Sequence, residues 1–245
     1  LIGYTRHDHG TTPLNPRLQS ILFCLYRTIL ATGLLATPWG RWMFERAYLF
    51  YKHAFEAGDL SPLKDFAEPG STVVDVGANI GFFATMFAGW TGSGGRVIAI
   101  EPEEINFARL QRAVAAAGAA ATVETVNAVA AEQSGTLYLT LNPHHPGDHK
   151  IGQAGVAVAA FSLDDLLAER DWPAVSLIKI DVQGAEARVI AGAAEILRRF
   201  HPALFIEVDD ACLRAMGSSA HALLSDLAGN GYGIHQLTKK GPSPS

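Results

Sequence analysis

The chain has 245 residues, of which 49% are hydrophobic and 18% are charged, as is usual for an enzyme with one α/β domain and an extension. The formal net charge of -5 argues against a nucleic-acid-binding protein, because such a protein needs a basic surface to neutralise phosphates. The two cysteines, Cys24 and Cys212, lie far apart, which argues against a zinc site or a disulfide framework and favours a reducing, cytoplasmic location.

Residues 1–60 are predicted to form a helical extension or cap, and residues 61–245 the main domain. The segment 18–55 predicts two amphipathic helices that are separated near Pro38. Charged residues interrupt this segment before it reaches the about 18 apolar residues of a membrane-spanning helix. We therefore expect no transmembrane segment. Packing on the main domain is the preferred interpretation, with peripheral membrane contact and a homo-oligomer interface as alternatives.

From residue 71 onward, short apolar segments alternate with Ala-rich segments, which predicts a mostly parallel sheet of an α/β domain with helices on both faces. The predicted strands are residues 71–76, 96–100, 122–126, 176–180, 203–208 and 232–237. The predicted helices between them are residues 80–89, 103–117, 185–199 and 218–228. The last residues, 241–245, are predicted to be disordered.

An inserted hairpin is predicted between the third and fourth of these strands, from residues 136–141 and 156–161. The loop between its strands contains His144, His145 and His149. After the hairpin, Ser162 is predicted to cap the N-terminus of a helix.

The strongest local motif lies where the first predicted strand ends and a helix begins. Asp75 ends the strand, and the loop that follows contains Gly77, Ala78, Asn79 and Gly81. Glycines allow a ligand to approach the backbone, and a helix N-terminus binds a negatively charged group. A dinucleotide site usually has a glycine at the position that Asn79 occupies, where it makes room for pyrophosphate. The loop therefore favours a cofactor with an amino-acid end, whose ammonium would bind acceptors such as Asp75.

Glu101 ends the second predicted strand, where a carboxylate can accept hydrogen bonds from both hydroxyls of a ribose. Nicotinamide enzymes place an acid at the same point, so Glu101 alone does not identify the cofactor. Two alternatives remain at this stage: a structural glycine turn without a nucleotide, and a nicotinamide or flavin site.

Five motifs in a fixed order resemble the FkbM family of methyltransferases. The resemblance extends from about residue 45 to residue 237 and implies a Rossmann-like class I methyltransferase fold of about seven strands. It also implies S-adenosylmethionine as cofactor and, typically, O-methylation of sugar or polyketide hydroxyls. The motifs are DVGANIGF at 75–82, IEPE at 100–103, LDDLL at 163–167, IKIDVQGAE at 178–186 and LFIE at 204–207.

On the family pattern, the loop after the first strand holds the methionine end of the cofactor and Glu101 holds its ribose. The resemblance also implies that Asn127 and Ala128, at the end of the third strand, lie near the adenine. Little chain follows residues 232–237, so the last strand of the family fold is expected to be missing or truncated. The residues assigned to the methionine end are Asp75, Gly77, Asn79 and Gly81, together with Ala78 between them.

Asp181, at the end of the fourth predicted strand, is the carboxylate best placed for catalysis. Methyl transfer is an in-line displacement, and an alcohol acceptor needs a base or a metal ion at its oxygen. His149 is the preferred histidine for the role of base. A divalent cation shared by Asp181, Glu207, Asp209 and a histidine is an alternative that we do not favour, so no metal site is assigned.

Lys179 is also a candidate for the catalytic site, although it lies inside an apolar strand that should be buried on both faces. A buried lysine is costly unless its charge is paired. We therefore predict that its ammonium lies within about 4 Å of Asp75 or Glu207. The alternative is an ammonium that extends to water along the sheet. Glu186 is predicted to serve the first turn of its helix.

The sequence thus predicts an S-adenosylmethionine-dependent methyltransferase that acts on a hydroxyl of a sugar, glycan or polyketide-like small molecule. Neither a nucleic-acid substrate nor a nucleobase amine is expected, because the chain is acidic and has no Asp-Pro-Pro-Tyr motif. The same fold methylating nitrogen or carbon, a nucleotide-dependent oxidoreductase and an inactive cofactor-binding module are the alternatives.

Overall fold

A computed structural model of the chain describes residues 2–6, 60–140, 150–238 and 241–244. Within these residues the strands are β1 (Ile2–Arg6), β2 (Thr72–Val76), β3 (Arg96–Ile100), β4 (Val123–Val126), β5 (Val129–Ala130), β6 (Gly135–Thr140), β7 (Lys150–Gly152), β8 (Val156–Phe161), β9 (Val175–Ile180), β10 (Ala203–Val208), β11 (Ile234–Thr238) and β12 (Gly241–Pro244). The helices are α1 (Ser61–Lys64), α2 (Phe82–Thr91), α3 (Glu104–Ala116), α4 (Leu163–Ala168), α5 (Glu186–Ala191), α6 (Ala194–Phe200), α7 (Asp210–Ala215) and α8 (Ala220–Gly229).

The main sheet has eight strands in the order β12-β11-β1-β10-β9-β2-β3-β4. All neighbouring strands pair in parallel except β12, which is antiparallel to β11. Helices connect most of the parallel strands, as the crossover between parallel neighbours requires. The predicted Rossmann-like, mostly parallel sheet with flanking helices is confirmed.

The central strands are apolar on both faces because helices cover both sides of the sheet. Every residue of β2 is buried. Ile98 and Ile178 on its neighbours β3 and β9, and Ile206 on β10, have no exposed surface. Burying a side chain of this size stabilises the fold by about 1.5–3 kcal/mol. These well-packed strands thus hold the motif residues at their ends in fixed positions.

A second, four-stranded sheet has the order β5-β8-β6-β7. The predicted hairpin is present, since β6 pairs antiparallel with β8 from Gly135 opposite Ala160 to Leu139 opposite Val156. Ser162 caps α4, accepting a hydrogen bond from the backbone N–H of Asp165. The loop with the three predicted histidines lies outside the described residues.

The helix predicted at residues 185–199 is two helices, α5 and α6, which are separated at Gly192. A Cβ atom on Gly192 would lie 2.0 Å from the carbonyl oxygen of Ala131, so the backbone of this glycine packs directly on a distant loop. The Asp164 carboxylate accepts hydrogen bonds from the N–H groups of Glu195 and Ile196 and so caps α6 from outside the helix. The break between α5 and α6 therefore results from contacts with residues that are distant in the sequence.

Two terminal segments differ from the prediction. Residues 2–6 form β1, which lies between β10 and β11 in the sheet, whereas they were predicted to belong to a helical extension. Residues 241–244, predicted to be disordered, form β12. The remainder of the predicted extension, residues 7–59, lies outside the described residues. In the part of the chain that the structure describes, no helix combines the length and the apolar character that crossing a membrane requires.

Candidate functional site

The motif residues meet at one edge of the main sheet because the ends of three strands are in register. Val76 at the end of β2 pairs with Ile100 of β3 on one side and with Ile180 of β9 on the other. The residues that follow, Gly77, Glu101 and Asp181, are therefore neighbours. This carboxyl edge of a parallel sheet is where ligands bind in open α/β folds.

Gly77 connects the loop after β2 to both neighbouring strands. Its backbone N–H and that of Ala78 donate hydrogen bonds to the carbonyl oxygen of Ile100, at 3.0 Å and 2.9 Å. Gly77 has φ +74°, and a Cβ atom at this position would lie 1.9 Å from the carbonyl oxygen of Asp181. Only glycine allows the loop to contact the end of β9 so closely.

Helix α2 begins directly after this loop. Gly81 precedes the helix in a left-handed conformation with φ +91°, and its N–H donates to the carbonyl oxygen of Ala78 at 2.9 Å. Asn79 also has a positive φ, of 50°. The loop thus turns sharply and directs the N-terminus of α2 toward the edge of the sheet.

Glu101 is nearly buried at the end of β3, with 5% of its surface exposed. Its Oε2 accepts a hydrogen bond from the N–H of Asn79 at 2.9 Å, and its Oε1 accepts one from the N–H of Glu103 at 3.0 Å. Burial raises the pKa of this carboxyl to about 7, and the two N–H donors oppose the increase. Each oxygen retains one lone pair for a ligand hydroxyl.

Asn127 supports the same region from β4. Its Nδ2 donates hydrogen bonds to the carbonyl oxygens of Glu101, at 2.9 Å, and Pro102, at 3.2 Å. The next residue, Ala128, is buried. The side-chain amide of Asn127 therefore fixes the backbone that carries Glu101, while the residue itself is exposed.

Lys179 forms the ion pair that the sequence predicts. Its Nζ lies 3.2 Å from Oδ1 of Asp75 and donates hydrogen bonds to the carbonyl oxygens of Gly77, at 2.7 Å, and Val76, at 3.3 Å. The side chain is only 3% exposed. The alternative, an ammonium in water, is wrong because acceptors on β2 and its loop satisfy the buried charge.

Asp75 has no exposed surface, and burial raises its pKa, an effect that the Lys179 ammonium opposes. The carboxylate therefore presents no surface for the direct contact with a cofactor ammonium that was expected from the sequence. Asp75 instead pairs with the Lys179 ammonium, which in turn donates a hydrogen bond to the carbonyl oxygen of Gly77 in the loop.

Asp181 is the partly accessible acid of this cluster, with 19% of its side chain exposed. Its Oδ2 lies 3.7 Å from Nζ of Lys179, and its Oδ1 accepts a hydrogen bond from Nε2 of Gln183 at 3.4 Å. Its backbone N–H donates to the carbonyl oxygen of Val76 at 3.1 Å. A ligand at the edge of the sheet can therefore reach Asp181.

Glu186, by contrast, is buried and serves the backbone. Its Oε1 accepts hydrogen bonds from the N–H groups of Val182, at 3.2 Å, and Gly184, at 3.1 Å. Burial raises its pKa. Glu186 lies in the first turn of α5, as predicted, and its carboxylate also fixes the loop before the helix.

The remaining residues considered for catalysis or metal binding include Asp209 and His149. Asp209 caps α7, accepting hydrogen bonds from the N–H groups of Ala211 and Cys212. Within the described residues, no group of three or more His, Cys, Asp or Glu side chains has the arrangement of a metal site. His149 lies outside the described residues, so its predicted role as a base stays a prediction.

Two residues that the sequence analysis did not assign to the site lie beside it. The Phe83 ring centroid is 5.2 Å from Nζ of Lys179, a distance typical of a cation–π contact. Gln183 contacts Asp181 as described. A signal for Phe83 was available, because two aromatic residues follow Gly81 at the start of α2.

A cleft of about 590 Å³ lies elsewhere in the described part of the chain. It lies between α5, α6 and α8 and is lined by His201 and Tyr232, which precede β10 and β11. None of its lining residues belongs to the five motifs, and we do not assign the candidate site to it.

A crystal structure of methyltransferase FkbM from Methylobacillus flagellatus KT aligns with a TM-score of 0.45 and 23% identity, over 66% of this chain and 37% of that one. A SAM-dependent methyltransferase from Thiobacillus denitrificans, in complex with S-adenosyl-L-homocysteine, aligns with a TM-score of 0.37 and 14% identity, over 79% of this chain and 72% of that one.

Two curated relatives are also similar. The 31-O-demethyl-FK506 methyltransferase FkbM of Streptomyces tacrolimicus is 29% identical over 161 residues, which cover 52% of this chain and 61% of that protein. Methyltransferase sdnD of Sordaria araneosa is 25% identical over 181 residues, or 60% and 67% of the two chains. This chain thus spans less than two thirds of the length of the first relative.

The sequence profile of the methyltransferase FkbM domain matches residues 75–233, which begin at Asp75 and include the strand ends described above. This match covers more than half of the chain. The chain belongs to the FkbM family of methyltransferases.

Proposed function

We propose that this chain is an S-adenosylmethionine-dependent O-methyltransferase that acts on a hydroxyl of a sugar, glycan or polyketide-like small molecule. The observation that carries the proposal is the register that places Gly77, Glu101 and the accessible Asp181 side by side. The Streptomyces relative, named for methylation at an oxygen of FK506, supports an oxygen acceptor.

The residues at the edge of the sheet fit the proposed cofactor. The backbone approach at Gly77 and the N-terminus of α2 suit the carboxylate of its methionine end. Glu101, with a lone pair left on each oxygen, suits the two ribose hydroxyls. When bound, S-adenosylmethionine supplies an electrophilic methyl carbon on a sulfonium.

Asp181 is the proposed catalytic base. The acceptor oxygen forms the new bond to the methyl carbon, the carbon–sulfur bond breaks, and the hydroxyl proton passes to the carboxylate of Asp181. Its partial exposure allows an acceptor to reach it, whereas Asp75 and Glu186 are buried. A positioned base of this kind contributes about 10²–10⁴-fold to the rate.

Lys179 is proposed to act as a positioning residue. Its ammonium is buried and donates to Gly77 and Val76 while it lies between Asp75 and Asp181. It thereby holds the cofactor loop against β9 and places a positive charge beside the proposed base.

The test is transfer of a labelled methyl group to a panel of hydroxylated sugars, glycans and polyketides, detected by mass spectrometry. We expect the wild type to methylate at least one hydroxyl. Asp181→Asn should lower kcat by about 10²-fold or more while affinity for S-adenosylhomocysteine stays within about twofold, because the amide keeps the size of the side chain but accepts no proton.

The matched control is Asp226→Asn, which changes an acid on α8, far along the chain from the motif residues, and should leave kcat unchanged. Loss of cofactor binding together with turnover in Asp181→Asn would make Asp181 structural. Binding of NAD in place of S-adenosylhomocysteine would support the oxidoreductase alternative. Methyl transfer to amines or carbon alone would contradict the oxygen acceptor.

A further inference from the structure

Gln183, which is separated from the proposed base Asp181 by Val182, has an unfavourable backbone conformation. Its φ is +54°, in the left-handed region where a side chain meets its own backbone. Strained residues of this kind persist only where the surrounding structure holds them, and they are concentrated at functional sites.

Hydrogen bonds fix the backbone before and after Gln183. Glu186 accepts hydrogen bonds from the N–H groups of Val182 and Gly184, and this carboxylate is itself buried. Gly184 has φ +100°, and a Cβ atom there would lie 2.4 Å from the carbonyl oxygen of Cys212. The loop therefore cannot relax without moving α7 or breaking these bonds.

The consequence of this conformation is the position of the Gln183 side chain. Its Nε2 lies 3.4 Å from Oδ1 of Asp181, while Lys179 approaches Oδ2 at 3.7 Å from the buried side. Different donors thus contact the two oxygens of one carboxylate. Removing the amide would take away the hydrogen bond that Gln183 donates to Oδ1 of Asp181.

We propose that Gln183 is a positioning residue, held in a strained conformation so that its amide orients the Asp181 carboxylate toward the acceptor hydroxyl. This inference rests on the proposed function, in which Asp181 is the base. The strained backbone reduces stability, and the oriented carboxylate is the functional gain.

Gln183→Gly tests both halves of this proposal. Glycine adopts a positive φ without strain, so the midpoint of thermal unfolding should rise by about 2–4 °C. At the same time kcat should fall about tenfold or more, since a misplaced catalytic group loses rate. The KM for S-adenosylmethionine should stay unchanged.

Asp171→Gly is the matched control. Asp171 has φ +57°, lies on an exposed turn after α4, and should gain similar thermal stability from glycine with no change in kcat. Equal kcat values for wild type and Gln183→Gly would overturn the proposal. A fall in the unfolding midpoint of Gln183→Gly, with no change for Asp171→Gly, would also overturn it, because the conformation would then not be strained.

A readout independent of turnover separates this proposal from the proposed function. In the described part of the chain, the charged groups near Asp181 include Lys179 on β9, Asp75 on β2 and Glu186 on α5. Gln183→Glu keeps the shape of the side chain but replaces its donor with a like charge, which disfavours ionisation of a neighbouring carboxylate. The titration midpoint of Asp181, followed by NMR of its side-chain carbonyl carbon, should therefore move to higher pH.

An unchanged midpoint in Gln183→Glu would mean that the two side chains do not interact, and the proposal would fail even if the wild type methylates a hydroxyl. If the titration midpoint of Asp181 shifts in Gln183→Glu but the wild type methylates no hydroxyl, the contact between Gln183 and Asp181 is supported and the proposed function is rejected.

Discussion

The Lys179 ammonium lies in a buried part of the sheet, 3.2 Å from the Asp75 carboxylate and 3.7 Å from that of Asp181. A buried charge is tolerated when ion pairs and hydrogen bonds replace its contacts with water. Here the remaining acceptors are the backbone carbonyls of Val76 and Gly77, so the same lysine that neutralises Asp75 also fixes the start of the loop after β2. At the residue scale, the charge and the shape of the site depend on one side chain.

Lys179→Met should therefore destabilise the protein by about 3–5 kcal/mol near neutral pH, because the buried Asp75 carboxylate loses its counter-ion. The measurement is the free energy of unfolding in urea. The double variant Lys179→Met, Asp75→Asn is the control, and it should be more stable than Lys179→Met alone because no charge is left buried.

The pH dependence of the same variant has a defined sign. Burial already raises the pKa of Asp75, and without Lys179 the pKa rises further. An acid whose pKa is higher in the folded than in the unfolded state contributes stability at low pH, and this contribution is lost as pH rises. The deficit of Lys179→Met should be smaller at about pH 5 than at about pH 8, and an equal deficit at both would contradict the buried ion pair.

At the scale of secondary-structure elements, the site consists of the ends of β2, β3 and β9, which are in register, and the tight loop that follows β2. β2 pairs with β3 and β9, and the loop between β2 and α2 crosses the ends of both neighbours. The contact of Gly77 with the Asp181 carbonyl links the proposed cofactor side to the proposed acceptor side. A side chain at Gly77 would push the loop away from Asp181 and so separate the proposed cofactor side from the proposed acceptor side.

Gly77→Ala should lower the affinity for S-adenosylhomocysteine at least about tenfold, since a Cβ atom would lie 1.9 Å from a backbone oxygen and the φ of +74° is unfavourable for alanine. Calorimetry gives the affinity. Gly89→Ala is the control, because this helical glycine of α2 has open space around it. It should bind normally and be more stable by about 0.5–1 kcal/mol. Normal binding by Gly77→Ala would contradict the close approach.

The elements that the sequence predicted well are those whose signals are local. β3 and β10 have the predicted bounds, and Ser162 caps its helix as expected. The pairing of Lys179 with Asp75 was also predictable, because a lysine inside an apolar strand requires an acid on a neighbouring strand.

The features that the sequence did not predict depend on distant partners. The break at Gly192 is caused by the approach of Ala131 and by a cap from Asp164. The parallel pairing of β1 depends on β10, near the other end of the chain, and no local pattern in residues 2–6 reveals that register. The strain at Gln183 likewise follows from contacts with Glu186 and α7.

At the scale of the whole molecule, the chain combines a parallel sheet that carries the site with a second small sheet inserted between β4 and β9. The insertion has its own small core of Val129, Ala131 and Ala160. The residues that we propose to bind the cofactor, such as Gly77 and Glu101, follow strands of the main sheet. We therefore expect cofactor binding to depend on the main sheet and its carboxyl edge.

The central claim is that this edge binds S-adenosylmethionine through Glu101, and calorimetric titration with S-adenosylhomocysteine tests it most directly. Burial raises the pKa of Glu101 to about 7, whereas ribose hydroxyls bind best to the ionised carboxylate. Wild-type affinity should therefore increase about tenfold from about pH 5.5 to pH 8 and then level off.

Glu101→Ala should bind about 1.5–3 kcal/mol more weakly at pH 8, the usual scale for hydrogen bonds to a charged group, and should lose the pH dependence. Glu104→Ala, which removes an exposed acid of α3, should behave as the wild type. If Glu101→Ala binds S-adenosylhomocysteine as tightly as the wild type, with the same pH dependence, the cofactor does not contact Glu101 and the site is not at this edge of the sheet.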